Sequence, residues 1–394
     1  MPEPSLARSF LLPELRLLHV NANARRGLIL DVEKTSKMEV CPKCATPSES
    51  VYDHRTVRVR DDLYRGRQVV LVIHKRRFAC VRCRRPFTEP VPGIRKGYRT
   101  TQRYRASVLW ACERFVDLKN VRRTYRCSGG FLYRALYEQL ELKRRKRLYP
   151  WPERIGLDEH FFKREKRYER RSFVTMVVDH KNRRLMEVVD GKTGPELDAA
   201  LAYIPDRENV RWVGLDMCDA YKSFARRFFP NARLVADKFH VIRLVQPILN
   251  RYLRDVVTPR EAVPLRQKLK QSRRKLKHWW RERLKAWLRQ HPALNELYEL
   301  KEALSSFYRI RGHRRAKKRF TALLDAMALS TLPEVQKLRR TLVRWRVEVL
   351  NYFVSRLTNA RVEGFNAKAK LVKRRGYGYR SFTNYRLRLL NACS

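Results

Sequence analysis

Three acidic residues that lie far apart in the chain have the pattern of a shared cation site. Asp158 and Asp216 each close a strand-like run, and Glu363 follows on a basic helix near the end of the sequence. A β-β-β-α-β order places the first and fourth strands side by side, so both aspartates can reach neighbouring strand ends. Three hard oxygen ligands suit two Mg²⁺ or Mn²⁺ ions, which support in-line attack on phosphorus. Taken singly, each acid would be an ordinary surface charge.

Other polar residues accompany the three acids. Asn366 and Lys370 follow Glu363 at i+3 and i+7, on the same face of a helix, so we expect them to meet the same phosphate. Glu159 and Asp219 lie beside the proposed ligands and are alternatives to them, either as supporting groups or as ligands in their place.

A second chemical pattern is a pair of Cys-x-x-Cys motifs near the start of the chain. Two such motifs complete a tetrahedral Zn²⁺ site, and we predict a structural zinc with a small β-ribbon between them. The four cysteines are Cys41, Cys44, Cys80 and Cys83. The alternatives are four reduced buried cysteines or a redox pair, with His54 and His74 as less favoured substitute ligands.

The composition points to a polyanionic partner. With 90 Lys and Arg against 39 Asp and Glu in 394 residues, the formal net charge is +51, which favours double-stranded DNA as the partner. A membrane is not expected, because no apolar run reaches about 18 residues. An early Glu3 and the lack of a long apolar run argue against a secretory signal. Cysteines without a disulfide pattern indicate a reduced, cytoplasmic compartment.

Helical periodicity follows the cysteine module. Apolar spacing predicts helices over 101–115 and 118–125, and a third helix after the Ser128-Gly129-Gly130 turn. The pattern is typical of a helix-turn-helix, although a plain helical connector has the same appearance. Its basic residues are expected to contact DNA: Arg122, Arg123, Arg126 and Arg134. The charge run over 143–147 and the prolines after it are predicted to form a linker.

The remaining sequence predicts an α/β core. Residues 153–245 follow the order β-β-β-α-β-α-β of an RNase H-like mixed sheet, and 246–356 form an all-α insertion. The last helix and a basic tail with Lys373, Arg374 and Arg375, a further candidate DNA contact, complete the core. The predicted domains are a zinc module over 1–95, a helix-turn-helix over 96–147, the core over 153–245, the insertion over 246–356 and the core's last helix over 357–394.

The order of these motifs resembles a known family. Gly156-Leu157-Asp158-Glu159, Asp216-Met217, Ala236-Asp237-Lys238-Phe239-His240 and Val362-Glu363-Gly364-Phe365-Asn366, behind the cysteine module, resemble the DDE-type insertion-sequence transposases of the ISL-three family. The resemblance implies Asp158, Asp216 and Glu363 as a catalytic triad, and Mg²⁺-dependent strand cleavage and transfer at terminal inverted repeats. It also implies that Asp237 and His240 support the site, where related transposases carry a Cys-x-x-His pair.

Two other functions fit parts of the same pattern. A nuclease on the same fold would keep the triad without strand transfer, and a transposase-derived regulator would bind DNA without catalysis. The acidic triad argues against the regulator. For a transposase we expect a homodimer or a larger assembly on DNA, in a prokaryotic cytoplasm at the nucleoid.

Overall fold

The computed structural model describes residues 11–23, 27–114, 117–164 and 171–393. Glu3, which was used to argue against a secretory signal, and Phe115, the last residue of the helix predicted over 101–115, lie outside these ranges. The chain divides into two compact units, one of residues 1–142 with 375–378 and one of residues 143–374 with 379–394. Within the described ranges, every helix falls short of the length and apolar character that a membrane span requires.

The first unit begins with β-strands. They are β1 (Leu15–Asn23), β2 (Gly27–Lys34), β3 (Glu39–Val40), β4 (Pro47–Ser48), β5 (Val51–Tyr64), β6 (Arg67–Ala79) and β7 (Pro86–Thr88). The main sheet has the order β1-β2-β6-β5 with β7 on β6, and β3 pairs with β4. Arg65 and Gly66 join β5 to β6 with φ of 48° and 76°. Two residues with positive φ form the hairpin turn whose twist matches that of long paired strands.

Three helices follow in this unit: α1 (Gln102–Arg114), α2 (Leu118–Thr124) and α3 (Gly129–Lys146). Tyr104, Val121 and Leu136 are among the side chains that they bury. The run predicted as a linker over 143–147 begins where the second unit begins, and most of it is helical, because α3 continues to Lys146. Lys and Arg are good helix formers, and in a last turn their charges favour the negative end of the helix dipole.

The second unit contains a mixed five-stranded sheet. Its elements are β8 (Arg154–Arg164), β9 (Arg171–Asp179), β10 (Arg184–Asp190), α4 (Gly194–Leu201), β11 (Trp212–Leu215), α5 (Asp219–Phe228) and β12 (Arg233–Ala236). The strand order is β10-β9-β8-β11-β12, with β11 parallel to both β8 and β12. The prediction that the first and fourth strands are neighbours is confirmed.

The sequence suggested that Asp158 ends its strand. In the structure it lies within β8. Parallel pairing of β8 with β11 stops at Leu157 and Leu215. Antiparallel pairing with β9 continues from Asp158 to Arg164. After Asp158, β8 therefore pairs with β9 only. An edge of this kind tolerates polar residues, and in the sequence those residues resemble a loop.

Helices fill the chain after β12. They are α6 (Lys238–Arg243), α7 (Val245–Val256), α8 (Pro259–Lys270), α9 (His278–Arg289), α10 (Pro292–Phe307), α11 (His313–Ala328), α12 (Pro333–Arg344), α13 (Arg346–Ser355), α14 (Ala360–Arg375) and α15 (Phe382–Ala392). One buried apolar cluster runs from the sheet (Leu215) through α7 (Leu249) to α10 (Leu304). On the other side, Val362 and Phe365 of α14 join a cluster with Met176 of β9. This packing holds α14 against the sheet.

Candidate active site and zinc module

The four predicted zinc ligands lie together in the first unit. The Sγ atoms of Cys41, Cys44, Cys80 and Cys83 are all within 4.8 Å of one another. Cys41 Sγ lies 3.7 Å from Cys83 Sγ, and Cys44 Sγ lies 3.4 Å from Cys80 Sγ. Four convergent thiols are the donor set of a structural tetrahedral zinc site.

The two cysteine turns have the same backbone geometry. Ala45 and Arg84, the residues after each second cysteine, have φ of 54° and 52°. Their amides donate 2.9 Å hydrogen bonds to the carbonyls of Cys41 and Cys80. Hydrogen bonds from Thr46 lower the pKa of Cys44 to about 6, which favours a thiolate ligand. His74 contacts Asp31 instead, and the cluster consists of cysteines only.

A cavity of about 560 Å³ in the second unit contains the predicted acidic ligands. It is lined by side chains from β8, from the residue after β11, from α5 and the residue before it, from α6 and from α14. They are Asp158, Glu159, Asp216, Cys218, Tyr221, His240, Arg243, Glu363, Asn366, Ala367 and Lys370. The structure thus brings all three proposed triad residues to one cavity. In the sequence, the helices of the insertion lie between the two aspartates and Glu363.

The two aspartates meet because their strands are parallel neighbours. Leu157 pairs with Leu215, so the next residue on each strand, Asp158 or Asp216, leaves the paired segment at the same level. Carboxylate oxygens of both lie within 4.8 Å of each other and of a His240 ring nitrogen. Glu363 is exposed on the cavity wall and is not part of this tightest group.

His240 stands between two aspartates. Asp237 follows β12, and its side chain caps α6 by accepting hydrogen bonds from the amides of Phe239 (3.2 Å) and His240 (3.4 Å). This capping turn brings His240 Nδ1 to 2.9 Å from Asp216 Oδ1 and 3.2 Å from Asp237 Oδ2. His240 therefore orients Asp216, and Asp237 orients His240.

The charges in this group are closely linked. Burial, and then the neighbouring Asp216 carboxylate, raise the pKa of Asp158 to about 8. Burial lowers the pKa of His240, but hydrogen bonds with Asp216 and Asp237 outweigh it and raise that pKa to about 10. Burial therefore disfavours the charged form of Asp158, while Asp216 and Asp237 favour the charged form of His240.

Helix α14 supplies further contacts to β8. Asn366 Nδ2 donates a 2.7 Å hydrogen bond to Asp158 Oδ2, and Lys370 lines the cavity one turn further on. Lys373 Nζ donates to the carbonyls of Phe161 (2.5 Å) and Phe162 (3.1 Å) on β8. Lys373 thus has an intramolecular role, in addition to the predicted contact with DNA.

The two alternative acids have different positions. Glu159 lines the cavity, and its carboxylate pairs with Lys192 at 3.0 Å. Asp219 pairs with Arg344 at 3.1 Å and does not line the cavity. Of the two, only Glu159 remains placed to act in the site.

The predicted basic contacts are mostly exposed. In the first unit these are Arg122, Arg123, Arg126 and Arg134, and on α14 they are Arg374 and Arg375. The backbone of Arg126 has φ of 44°, where the chain turns after α2, and its carbonyl accepts a 3.0 Å hydrogen bond from Arg60 Nη1.

One residue near the site was not anticipated from the sequence. Asn359, which precedes α14, is only 3% exposed and contacts both strands that carry the aspartates. The sequence does contain a signal for it. The tripeptide Gly-Leu-Asp occurs twice, at 156–158 and at 214–216. The repeated glycine two residues before each aspartate marks a place where another chain segment approaches the sheet closely.

Comparison with known families agrees with this geometry. A family model described as a transposase of the DDE, ISL3 type matches residues 155–389, more than half of the chain. The chain belongs to the ISL3 (ISL-three) family of DDE transposases. A second model, described as the zinc-finger of the transposases IS204, IS1001, IS1096 and IS1165, matches residues 37–83. The four-cysteine cluster is accordingly a zinc ribbon whose geometry fits a structural zinc ion.

Individual relatives of this transposase family align along most of the chain. It is 25% identical over 370 residues to the transposase of insertion sequence element IS1001 from Bordetella parapertussis, which covers 90% of this chain and 89% of the relative. It is 24% identical over 333 residues to the transposase of IS1557 from Mycobacterium tuberculosis, covering 75% and 72% respectively. The matched segment of the transposase model includes Asp158, Asp216 and Glu363.

Proposed function

We propose that the protein binds the terminal inverted repeats of an insertion sequence and catalyses Mg²⁺-dependent DNA strand cleavage and strand transfer. The observation that carries this proposal is the convergence of Asp158, Asp216 and Glu363 on one cavity. In this proposal the three carboxylates form the catalytic triad, while Asp237, His240, Asn366 and Lys370 support it.

The sheet supports an RNase H-like core. Three antiparallel strands are followed by two parallel ones in the order β10-β9-β8-β11-β12, and the first strand is at the centre. This arrangement brings the first and fourth strands together, and it leaves room for α14 to add a third acid from late in the chain. The all-α segment between α6 and α14 interrupts that core without displacing Glu363 from the cavity.

The cavity fits divalent cations of the Mg²⁺ and Mn²⁺ type. Asp158 and Asp216 offer carboxylate oxygens within 4.8 Å of each other. Hard cations prefer such carboxylate ligands, and Glu363 would complete the set for two ions. When bound, these ions act as Lewis acids for charge that develops on the reacting phosphate.

The chain's own residues would orient the reacting groups. Asn366 Nδ2 holds Oδ2 of Asp158 and the Glu159 amide holds Oδ1, so the orientation of this carboxylate is fixed at both oxygens. His240 Nδ1 lies 2.9 Å from Asp216 Oδ1, so its charge holds that carboxylate in place. Lys370 adds a positive charge to the cavity wall, together with Arg243, where a DNA phosphate would also meet the acids.

DNA binding is assigned to basic surfaces. In the first unit, α2, the turn after it and the start of α3 form the proposed helix-turn-helix, with Arg122, Arg123, Arg126 and Arg134 as contacts. On α14, Arg374 and Arg375 are exposed. The formal charge of +51 supports extensive phosphate contact. We further propose that a homodimer or larger assembly acts on the two element ends, at the nucleoid.

The test uses the full-length protein and linear DNA carrying an element end. With Mg²⁺, the wild type should nick the end and join a pre-cut end to a target duplex. Asp158→Asn, Asp216→Asn and Glu363→Gln should abolish both reactions and leave DNA affinity intact. Asp219→Asn is the matched control, because its carboxylate pairs with Arg344 outside the cavity.

Other outcomes would identify other functions. Cleavage without joined products would indicate a nuclease on the same fold. Specific binding with neither reaction, and with no effect of Asp158→Asn on biological activity, would indicate a DNA-binding regulator.

A further inference from the structure

We propose that Asn359 is a positioning residue, which sets the distance between the strand-borne aspartates and the acidic end of α14. This inference rests on the proposed function of the same site. Asn359 touches none of the reacting groups directly. It acts through the residues beside it on three chain segments.

A slot between two glycines receives the Asn359 side chain. Gly156 of β8 and Gly214 of β11 are paired in the parallel register. A Cβ at Gly214 would lie 2.7 Å from Asn359 Oδ1, and a Cβ at Gly156 would lie 3.2 Å from the same atom. Such approaches exclude any larger residue at Gly214 unless Asn359 moves. The paired glycines therefore let Asn359 lie against the sheet, two residues before each aspartate.

Two hydrogen bonds tie Asn359 to β8 and to Asp237. Its Nδ2 donates to the carbonyl of Leu157 (3.4 Å), the residue before Asp158. Its backbone N–H donates to Asp237 Oδ1 (3.1 Å), whose other oxygen contacts His240. Thus Asn359 is linked to Asp158 along β8 and to Asp216 through the Asp237–His240 pair.

Asn359 also begins the helix that carries the third acid. Its carbonyl accepts a 3.1 Å hydrogen bond from the Glu363 amide, as a residue in the N-cap position does. Fixing Asn359 in the slot fixes the start of α14, and with it Glu363 and Asn366. The position of Glu363 relative to Asp158 and Asp216 therefore depends on Asn359.

The Asn359 side chain contacts the sheet and does not cap α14. An N-cap Asn usually accepts hydrogen bonds from amides of its own helix. Here Asn359 Nδ2 instead donates to β8, and its Oδ1 lies between the two glycines without a donor among the described residues. Leaving a buried oxygen unpaired is unfavourable. We infer that Asn359 Oδ1 is kept between Gly156 and Gly214, despite this cost, because the side chain sets the distance between the sheet and α14.

Substitution by serine separates helix capping from positioning. Ser is as good an N-cap as Asn, so Asn359→Ser should preserve the start of α14 but leave the slot empty. We expect a loss of roughly 10- to 100-fold in strand cleavage and in Mn²⁺ affinity, the range found when supporting residues of metal sites are removed. The thermal midpoint and DNA affinity should stay close to those of the wild type.

Mn²⁺ binding, measured by calorimetry on the full-length protein without DNA, gives a readout that is independent of catalysis. Asp158→Asn should remove that binding, and Asn359→Ser should weaken it. Wild-type affinity and wild-type cleavage in Asn359→Ser would overturn the positioning role. If the wild type neither binds Mn²⁺ nor cleaves DNA, the proposed function itself fails.

The slot can also be tested by comparing the effect of Gly214→Ala in the wild type with its effect in an Asn359→Ala background. Gly214→Ala adds a Cβ that collides with Asn359 Oδ1, so it should reduce cleavage and Mn²⁺ affinity. In an Asn359→Ala background that oxygen is gone, and Gly214→Ala should cost several-fold less. Equal losses in the two backgrounds would contradict the proposal.

Discussion

Asn366 Nδ2 donates a 2.7 Å hydrogen bond to Asp158 Oδ2, across 208 residues of chain. The contact joins α14 to the central strand at the group proposed to bind metal. The other oxygen of this carboxylate, Oδ1, accepts a 2.8 Å hydrogen bond from the Glu159 amide. Fixing a metal-binding carboxylate by a neighbouring amide makes the site ready before the ion arrives.

We therefore expect Asn366→Ala to lower the rate of strand cleavage by roughly 10- to 100-fold. DNA affinity should be unchanged, because the residue acts on Asp158 and not on DNA binding. Cleavage rates at saturating DNA, over a series of Mg²⁺ concentrations, provide the measurement. Ala367→Ser, at the next position on the cavity wall, is the control and should retain wild-type rates. A wild-type rate in Asn366→Ala would show that the contact is dispensable.

The zinc ribbon predicts a second measurable dependence. Cys80→Ser should lose the bound zinc and unfold the ribbon, because a zinc ion held by four cysteines contributes folding free energy directly. Metal content and thermal unfolding check this result. Cys127→Ser is the control, since Cys127 is also buried but lies outside the cluster. Full zinc content in Cys80→Ser would contradict the four-cysteine site.

Replacing three neighbouring basic residues of α14 should affect the salt dependence of DNA binding to different extents. The double change Arg374→Ala with Arg375→Ala removes exposed charges and should reduce the slope of log affinity for DNA against log salt by about 0.9 per lost phosphate contact. Lys373→Ala should mainly lower the free energy of unfolding, by about 1 kcal/mol, because its ammonium is bonded to carbonyls of β8. A salt slope that changes only in Lys373→Ala would reverse this assignment.

His180 predicts a pH dependence of stability away from the proposed metal ligands. Burial, and then the charge of Arg361, lower the pKa of His180 from 6.5 to about 4. The folded state therefore resists a proton that the unfolded state takes up below pH 6.5. Stability is complete above pH 6.5 and falls as the pH drops towards 4, by up to about 3 kcal/mol from this group. Denaturant unfolding of His180→Gln should show a shallower loss over this window, and identical profiles would contradict the prediction.

The zinc ligands and the neighbouring aspartate strands could be predicted because their signals are local. Each Cys-x-x-Cys pair lies within one turn, and the order β-β-β-α-β already makes the strands of Asp158 and Asp216 adjacent. The position of Asp158 within β8 was not predictable in this way. It depends on β9, whose pairing with β8 extends beyond the end of β11.

The slot of Asn359 was also beyond local inference. A glycine within a strand run has many explanations, and only the parallel register shows that Gly156 and Gly214 face the same segment. The close contact of His240 with Asp216 likewise depends on the cap that Asp237 provides for α6. Such contacts join segments whose spacing in sequence carries no information about their distance in space.

The helices between Asp237 and Asn359 have a consequence for synthesis of the chain. The segment that bears Asn359, Glu363 and Asn366 is translated after β8, β11 and β12, and after every helix from α6 to α13. A chain that stops between Asp237 and Asn359 keeps the zinc ribbon, the exposed arginines of α2 and α3, and both strand aspartates. It lacks the third acid and the amide that holds Asp158. If the proposed roles hold, premature termination in this region would yield products that keep the proposed DNA contacts but lack the complete triad, and these would compete with the complete protein for DNA.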